Sequence, residues 1–229
     1  GGFPVEYGDK TAGVFDMYTR RPPPSGTRTT LGMSLSSLSA ISQGRFADGR
    51  GQWLGSLRRG FLEYVLSVTG VDDELSPSYW DALGRIRLLV DERHALTAQF
   101  LYAGDDMRWN DQETGSGVRS RWTNGYGWVT WRGVLSDRVE AETLMSAGRL
   151  SRDRTGATNN VGRGEFSPLT TDVVDRATVD FAGVRQDLSV ALTPDLLVKA
   201  GGEFRTSAAD YDYGAASTRY ALDADDRLF

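Results

Sequence analysis

The sequence predicts an all-β chain: about nine antiparallel strands in up-and-down order, forming an open, curved part of a larger transmembrane β-barrel. Three observations lead there. Apolar and polar residues alternate with a period of two over most of the chain. Compact turn signals alternate with long segments dense in Asp, Asn, Gly and Ser. Several of the predicted strands run to about 12–18 residues, where ~9–11 are enough to cross a bilayer.

The elements are read in order. Residues 1–21 contain a Gly-Gly pair, a Tyr-Gly-Asp turn signal and the alternating stretch Gly13-Val14-Phe15-Asp16-Met17-Tyr18-Thr19-Arg20. Pro22, Pro23 and Pro24 then stop regular structure. With no initiator Met and no apolar leader, this opening reads as the end of a preceding domain in a longer protein. Strands are predicted near 27–36, 38–46, 52–68, 78–90, 95–107, 120–135, 139–152, 175–192 and 196–213. The short turns are Ala47–Gly51, Asp91–His94, Ser136–Arg138 and Thr193–Asp195, all expected at one rim. The longer segments are 69–77, 106–119, 153–174 and one beginning near 214.

Around those turns the two faces separate. Leu96, Ala98, Phe100 and Tyr102 oppose Thr97 and Gln99, and Val139, Ala141, Thr143 and Met145 oppose Glu140, Glu142 and Ser146. Leu196, Val198, Ala200 and Phe204 oppose Lys199, Glu203 and Arg205. Such charges cannot face lipid cheaply, so they should line a wet lumen. Trp80, Tyr102, Trp128 and Trp131 are candidates for interfacial girdles or lumen walls. Alternation weakens at 120–135, and Asp180 shares parity with Val184, which predicts a bulge within 175–187.

Composition excludes several classes. Hydrophobic residues are 39% of the 229, with no run near 18 apolar residues; the best, Phe61 to Val68, carries a glutamate, so helical spans are out. A formal charge of −5 argues against nucleic-acid binding. Zero cysteines remove disulfide frameworks and thiolate metal sites. Twenty-seven glycines with six Trp, nine Tyr and nine Phe suit a bacterial outer-membrane barrel, though soluble β-proteins share that profile.

Nothing in the motifs points to an enzyme or a cofactor. His94, the only histidine, sits in a tight turn, where a catalytic or metal role has no partners in the sequence. Gly162-Arg163-Gly164 lacks the strand and helix of a phosphate loop. The acidic clusters Asp72-Asp73-Glu74, Asp105-Asp106 and Asp225-Asp226 lack calcium-loop spacing and read as solvated loop charge. Arg58 and Arg59 are candidates for a lumen pair contacting an anionic ligand, against the plainer reading of cations lining a wet wall. Trp109, Trp122, Tyr126, Tyr211 and Tyr213 are candidates for stacking on a small extracellular ligand, against ordinary loop and girdle packing.

The opening GGFPVEYGD followed by GVFDMYTRRP resembles the last part of the plug domain of TonB-dependent outer-membrane receptors. WLGSLRRGFLEYVL, YWDALGRIRLL and HALTAQFLYAGDD look like the early barrel strands of the same receptors. The resemblance implies a plug inside a barrel of roughly 22 strands. Residues 1–26 would be the plug end and proline linker, and 27–229 the first part of the barrel. It further implies TonB-driven uptake of a siderophore, cobalamin, glycan or peptide across the outer membrane of a Gram-negative bacterium. TonB itself, outer-membrane lipid and lipopolysaccharide, and the ligand would be the partners. A passive porin or adhesive barrel and a soluble carbohydrate-binding β-domain are the alternatives.

Overall fold

A computed structural model of the chain describes Thr19 and residues 26–69, 75–160 and 169–219. Nine strands form one sheet in sequential order, each antiparallel to the next. They are β1 (Thr27–Met33), β2 (Ser37–Phe46), β3 (Gly51–Gly60), β4 (Leu75–Leu89), β5 (His94–Asn110), β6 (Gly117–Ser136), β7 (Val139–Asn160), β8 (Leu169–Thr193) and β9 (Leu196–Arg219). The sheet is open, with β1 and β9 at its edges. One helix, α1 (Leu62–Thr69), follows β3.

The meander puts the β2–β3, β4–β5, β6–β7 and β8–β9 connections on one edge, as the turn chemistry predicts. Each is closed locally. Asp91 Oδ1 accepts the backbone N–H groups of Arg93 and His94 at 2.8 and 2.7 Å, pinning the β4–β5 turn. Ala47, Asp48 and Gly49 all have positive φ in the β2–β3 turn, a conformation only the glycine adopts without strain. Neighbouring turns are tied together: Val134 N–H donates to Arg93 O at 2.9 Å, and Ala191 N–H to Arg138 O at 2.8 Å.

Strands lengthen across the sheet, from seven residues in β1 to 25 in β8. At ~3.3 Å per residue the longest spans roughly 80 Å, far more than a bilayer requires. This corrects the predicted loops. Segment 106–119 contains only a six-residue turn, 111–116, because β5 and β6 stay paired out to Asn110 and Gly117. Likewise β7 reaches Asn160, β8 begins at Leu169, and β9 continues to Arg219. Asp, Asn and Gly there are loop signals in the sequence, yet the backbone ladder continues unbroken through these polar stretches, with cross-strand pairs such as Arg176–Asp153 at 3.5 Å alongside.

Two further corrections follow. The strand predicted over 52–68 ends at Gly60, and Leu62–Thr69 is helical. Leu62, Val65, Leu66 and Thr69 also satisfy the helical i, i+3, i+4, i+7 pattern, which a short apolar run cannot distinguish from a strand. Glu63 in the first helical turn is paired with Arg59 at 3.1 Å. The bulge predicted within 175–187 is absent: β7 and β8 stay in register from Val139–Val190 to Asn160–Leu169. Register shifts occur instead beside two turns, at Val134/Ser136 and Ala191/Thr193.

Residues facing each other across an antiparallel pair share a face. One row runs Leu57–Ala82–Tyr102–Gly125, and the rows nearer the turns carry Phe100, Ile86, Leu88, Leu96, Val129, Met145, Val184 and Phe204 on the same side. Most of these side chains are exposed, Phe100 at 53%, Met145 at 58% and Phe204 at 68%, while Ala82 is buried and Tyr102 half-buried. The other face carries Arg85, Arg87, Thr97, Gln99, Arg132, Glu142, Arg185 and Glu203. Near the β4–β5 turn its residues Arg85, Arg87, Thr97, Gln99 and Leu101 are half-buried, while Ile86, Leu88, Leu96, Ala98 and Phe100 opposite them are exposed. Among the described residues no second layer covers the apolar rows near the turns.

Several glycines on this sheet are roofed by an aromatic ring on the neighbouring strand. A Cβ at Gly84 would come within 2.0 Å of the ring of Phe100, its partner in the ladder. Gly60 is covered in the same way by Tyr79, and Gly148 by Phe181. The ring supplies the packing surface that glycine lacks in a strand interior.

The expected plug end, residues 1–18, and the prolines 22–24 lie outside the described residues, as do Asp72-Asp73-Glu74, Gly162-Arg163-Gly164 and Asp225-Asp226. Thr19 belongs to no strand.

Candidate ligand-facing site

The site is built on the polar face where the strands run toward the long-connection edge. Strand parity settles who can meet whom. Arg58 lies on the polar face opposite Asp81, whereas Arg59 points to the apolar side opposite Trp80. The two arginines are therefore not a pair. Arg58 is held by Asp81 at 2.7 Å and stacks over Tyr79 at 5.1 Å from the ring centroid. Arg59 instead tethers α1 through Glu63.

The aromatics fare differently. Trp109, Trp122, Tyr126, Tyr211 and Tyr213 all share the polar face. Trp122 stands in one row with Asp105, Arg152, Ala177 and Tyr211. Tyr213 stands in the next, with Asp175, Arg154 and Ser120. Tyr126 sits two rows toward the turns and packs on Phe181 with ring centroids 5.9 Å apart. Trp109 is farthest out, opposite Val118.

Trp122 is the centre of this group. The guanidinium carbons of Arg152 and Arg154 lie 5.6 and 5.1 Å from its ring centroid. Asp175 fixes both arginines, accepting from Arg152 at 2.7 Å and lying 4.0 Å from Arg154. An indole with two guanidiniums and one carboxylate offers a stacking surface and spare N–H donors beside it. It can hold a flat or sugar-like group and an adjacent carboxylate, phosphate or hydroxyl. Among the described residues no group of His, Cys, Asp and Glu could hold a metal ion.

Arg152 and Asp175 stand at the ends of the strands expected over 139–152 and 175–192, and Arg154 in the segment expected as loop, so none of the three is singled out by sequence. The signal was present: Arg152 and Arg154 share parity with Glu142, on a strand counted outward from the 136–138 turn.

On the opposite face a second polar cluster lies beyond the apolar rows. Arg119 and Arg121 both donate to Asp106, with Arg119 Nη2 at 2.8 Å and Arg121 Nη2 at 2.7 Å, and Arg108 lies 3.6 Å away. The hydrogen bonds from Arg119, then those from Arg121, hold the Asp106 carboxyl down at about 2. Next to it the 111–116 turn is closed by Asp111, whose Oδ1 accepts from Glu113 N–H at 2.8 Å. The buried Ser116 joins that turn to β7 by accepting Asn159 N–H at 2.9 Å.

Among the girdle candidates, Trp80 and Tyr102 pack together on the apolar side at 4.4 Å. Trp131 stacks on His94 near the turns at 5.6 Å, while Trp128 faces the polar side.

The fold thus defines an all-β chain, a single open antiparallel nine-strand sheet with one apolar and one polar face. No protein-family model matches the chain, and no curated protein is significantly similar to it.

Proposed function

We propose that this sheet is part of the wall of an outer-membrane β-barrel, and that the protein is a TonB-dependent receptor taking up a scarce extracellular ligand. The observation that carries the membrane reading is the exposed apolar face and the way its band crosses the strands. The loop-side limit of the band falls at Trp80 in β4, Tyr102 in β5, Ala147 in β7, Ala182 in β8 and Phe204 in β9. Followed through the ladder, Trp80 is level with Gly104, Ala147 with Phe100 and Phe204 with Ala98.

The limit therefore slips from 104 to 98 in β5 numbering over five strands, (104 − 98)/5, or about one residue per strand. With ~3.3 Å rise and ~4.8 Å strand spacing, that slope corresponds to strands tilted by about 40° against the band. Transmembrane barrels tilt their strands by roughly 35–45°. Beyond the limit the same face turns to Arg149–Asp180 at 2.6 Å and to the Asp106 cluster, which suits side chains standing above lipid headgroups.

The receptor reading rests further on the plug-like opening and on Thr19. Arg85 Nη1 donates to Thr19 Oγ1 at 2.7 Å, so Thr19 itself lies against the polar face. A passive pore has no use for a segment there. In this reading the Trp122 group lines the ligand path from the cell exterior, and energy from TonB drives release. The test is ligand accumulation by cells carrying the full-length protein, with and without TonB or the proton gradient. Binding should survive loss of energy while accumulation stops. Unchanged accumulation in de-energised cells would make the protein a passive channel.

A further inference from the structure

The Trp122 group carries charge on both flanks, and the signs are opposite. In the ladder Trp122 of β6 stands between Asp105 of β5 and Arg152 of β7. On the β7–β8 flank two cations, Arg152 and Arg154, share the one carboxylate of Asp175 at 2.7 and 4.0 Å, which leaves a positive charge over. On the β3–β5 flank two carboxylates, Asp81 and Asp105, stand beside one cation, Arg58, which Asp81 holds at 2.7 Å. A negative charge is left over there. It falls on Asp105, to which no cation is bonded among the described residues. The neighbours on the same face, Met107, Ser120, Asn124 and Leu150, are uncharged.

The positive flank also holds an unmet donor. Arg152 gives Nη2 to Asp175, while its Nε is buried without an acceptor. A buried guanidinium N–H left unpaired is costly, so an oxygen brought by a ligand is favoured there. The indole N–H of Trp122 is already taken by Ser120 at 3.2 Å, which leaves the ring itself for stacking. Adjacent strands lie ~4.8 Å apart, so the backbones at Asp105 and Arg152 are about 10 Å apart across Trp122. An extended peptide covers ~3.3–3.6 Å per residue, so three residues put a terminal ammonium and a terminal carboxylate at about that separation.

We propose that the Trp122 group binds a short zwitterionic peptide of about three residues, with its ammonium on Asp105, its carboxylate on Arg152 and Arg154, and its planar amides over the indole. The inference rests on the reading that this group lines the ligand path, and it names the class of ligand. A neutral sugar would leave both surplus charges unanswered, and a simple anion would leave Asp105 so. A peptide with two free ends answers both.

The probe is a mixture of random tripeptides passed over immobilised full-length protein in three forms: both ends free, the amine acetylated, or the carboxyl amidated. The free form should be retained roughly three- to tenfold better than either blocked form, the range of one charge-assisted contact. Asp105→Asn should remove the penalty for acetylation and keep that for amidation. Arg152→Gln with Arg154→Gln should do the reverse. The three forms are compared first on the unaltered protein, so a variant that fails to fold does not decide the outcome. Equal retention of all three forms, or retention of none, overturns the proposal. Retention of the acetylated form equal to the free one, with the amidated form lost, makes this a plain anion site and overturns it too. Accumulation of the retained peptides by cells with and without TonB tests the receptor reading separately. End-selective binding without energy-dependent accumulation sinks that reading alone. Energy-driven uptake of another ligand, with no tripeptide retained, sinks the peptide proposal alone.

Discussion

Replacing Phe100 by arginine separates a lipid-facing sheet from a soluble one by the sign of the effect. Phe100 is half exposed, lies midway along the apolar stretch of β5, and roofs Gly84 on β4. In lipid, an arginine near mid-depth costs about 2–4 kcal/mol. Loss of the cross-strand ring contact adds ~0.2–1 kcal/mol. The expected total is about 2–5 kcal/mol of destabilisation. Gln99→Arg, one residue away on the polar face, should stay within ~0.5 kcal/mol of the parent. The assay is equilibrium unfolding of the full-length protein in lipid vesicles or micelles, by urea titration with tryptophan fluorescence. In a soluble protein, exchanging an exposed phenylalanine for arginine would be close to neutral. Equal, small effects from the two variants would refute the lipid assignment of this face.

Other consequences can be checked on the same preparation. Gly148→Ala puts a Cβ 2.6 Å from the Phe181 ring and 2.7 Å from Gly125 O, so it should cost ~1–3 kcal/mol, whereas Gly55→Ala, with open space, should be near neutral in the same urea titration. Trp122→Ala and Arg154→Ala should weaken ligand uptake by about 2- to 30-fold at unchanged surface display, the range a cation–π contact supplies; full uptake by both would remove Trp122 from the ligand path. Asp106 has a folded pKa of about 2, below its unfolded value, so its stabilising contribution is present above pH ~4 and lost as pH falls toward 2. The urea-midpoint difference between the parent and Asp106→Asn should therefore be full at pH 5 and shrink between pH 4 and 2.

The strand order and the four short turns were legible because period-two alternation and turn chemistry are local. Helix α1 was not, since the short apolar run from Phe61 to Val68 is too brief for periodicity to separate helix from strand, and the end of β3 pairing at Gly60 decides between them. The expected bulge near Asp180 shows a different difficulty. Parity never slipped there: Asp180 and Val184 do share a face, and the face itself changes from apolar to charged where Asp180 meets Arg149. A pattern read along one strand cannot reveal that boundary, because it runs diagonally across several.

Of the candidate site, the five aromatics were found by type and position, and the ladder shows them on one face. Their partners Arg152, Arg154 and Asp175 stayed hidden, because they sit at or beyond the ends of the expected strands and only the cross-strand register brings them beside Trp122. Arg58 and Arg59 were joined by adjacency in sequence, which in a strand means opposite faces.

The central claim, an apolar face in lipid and a polar face in water, is tested most directly by a nitroxide scan of β5 in the full-length protein reconstituted in bilayers. Single cysteines from Ala95 to Asp106 are labelled in turn, and each label's accessibility to oxygen and to a water-soluble nickel chelate is measured. The account predicts strict alternation, with oxygen favoured at Leu96, Ala98, Phe100 and Tyr102 and nickel at Thr97, Gln99 and Leu101, the oxygen preference vanishing by Asp106. High nickel accessibility at Phe100 and Gln99 alike, with no alternation, would contradict it.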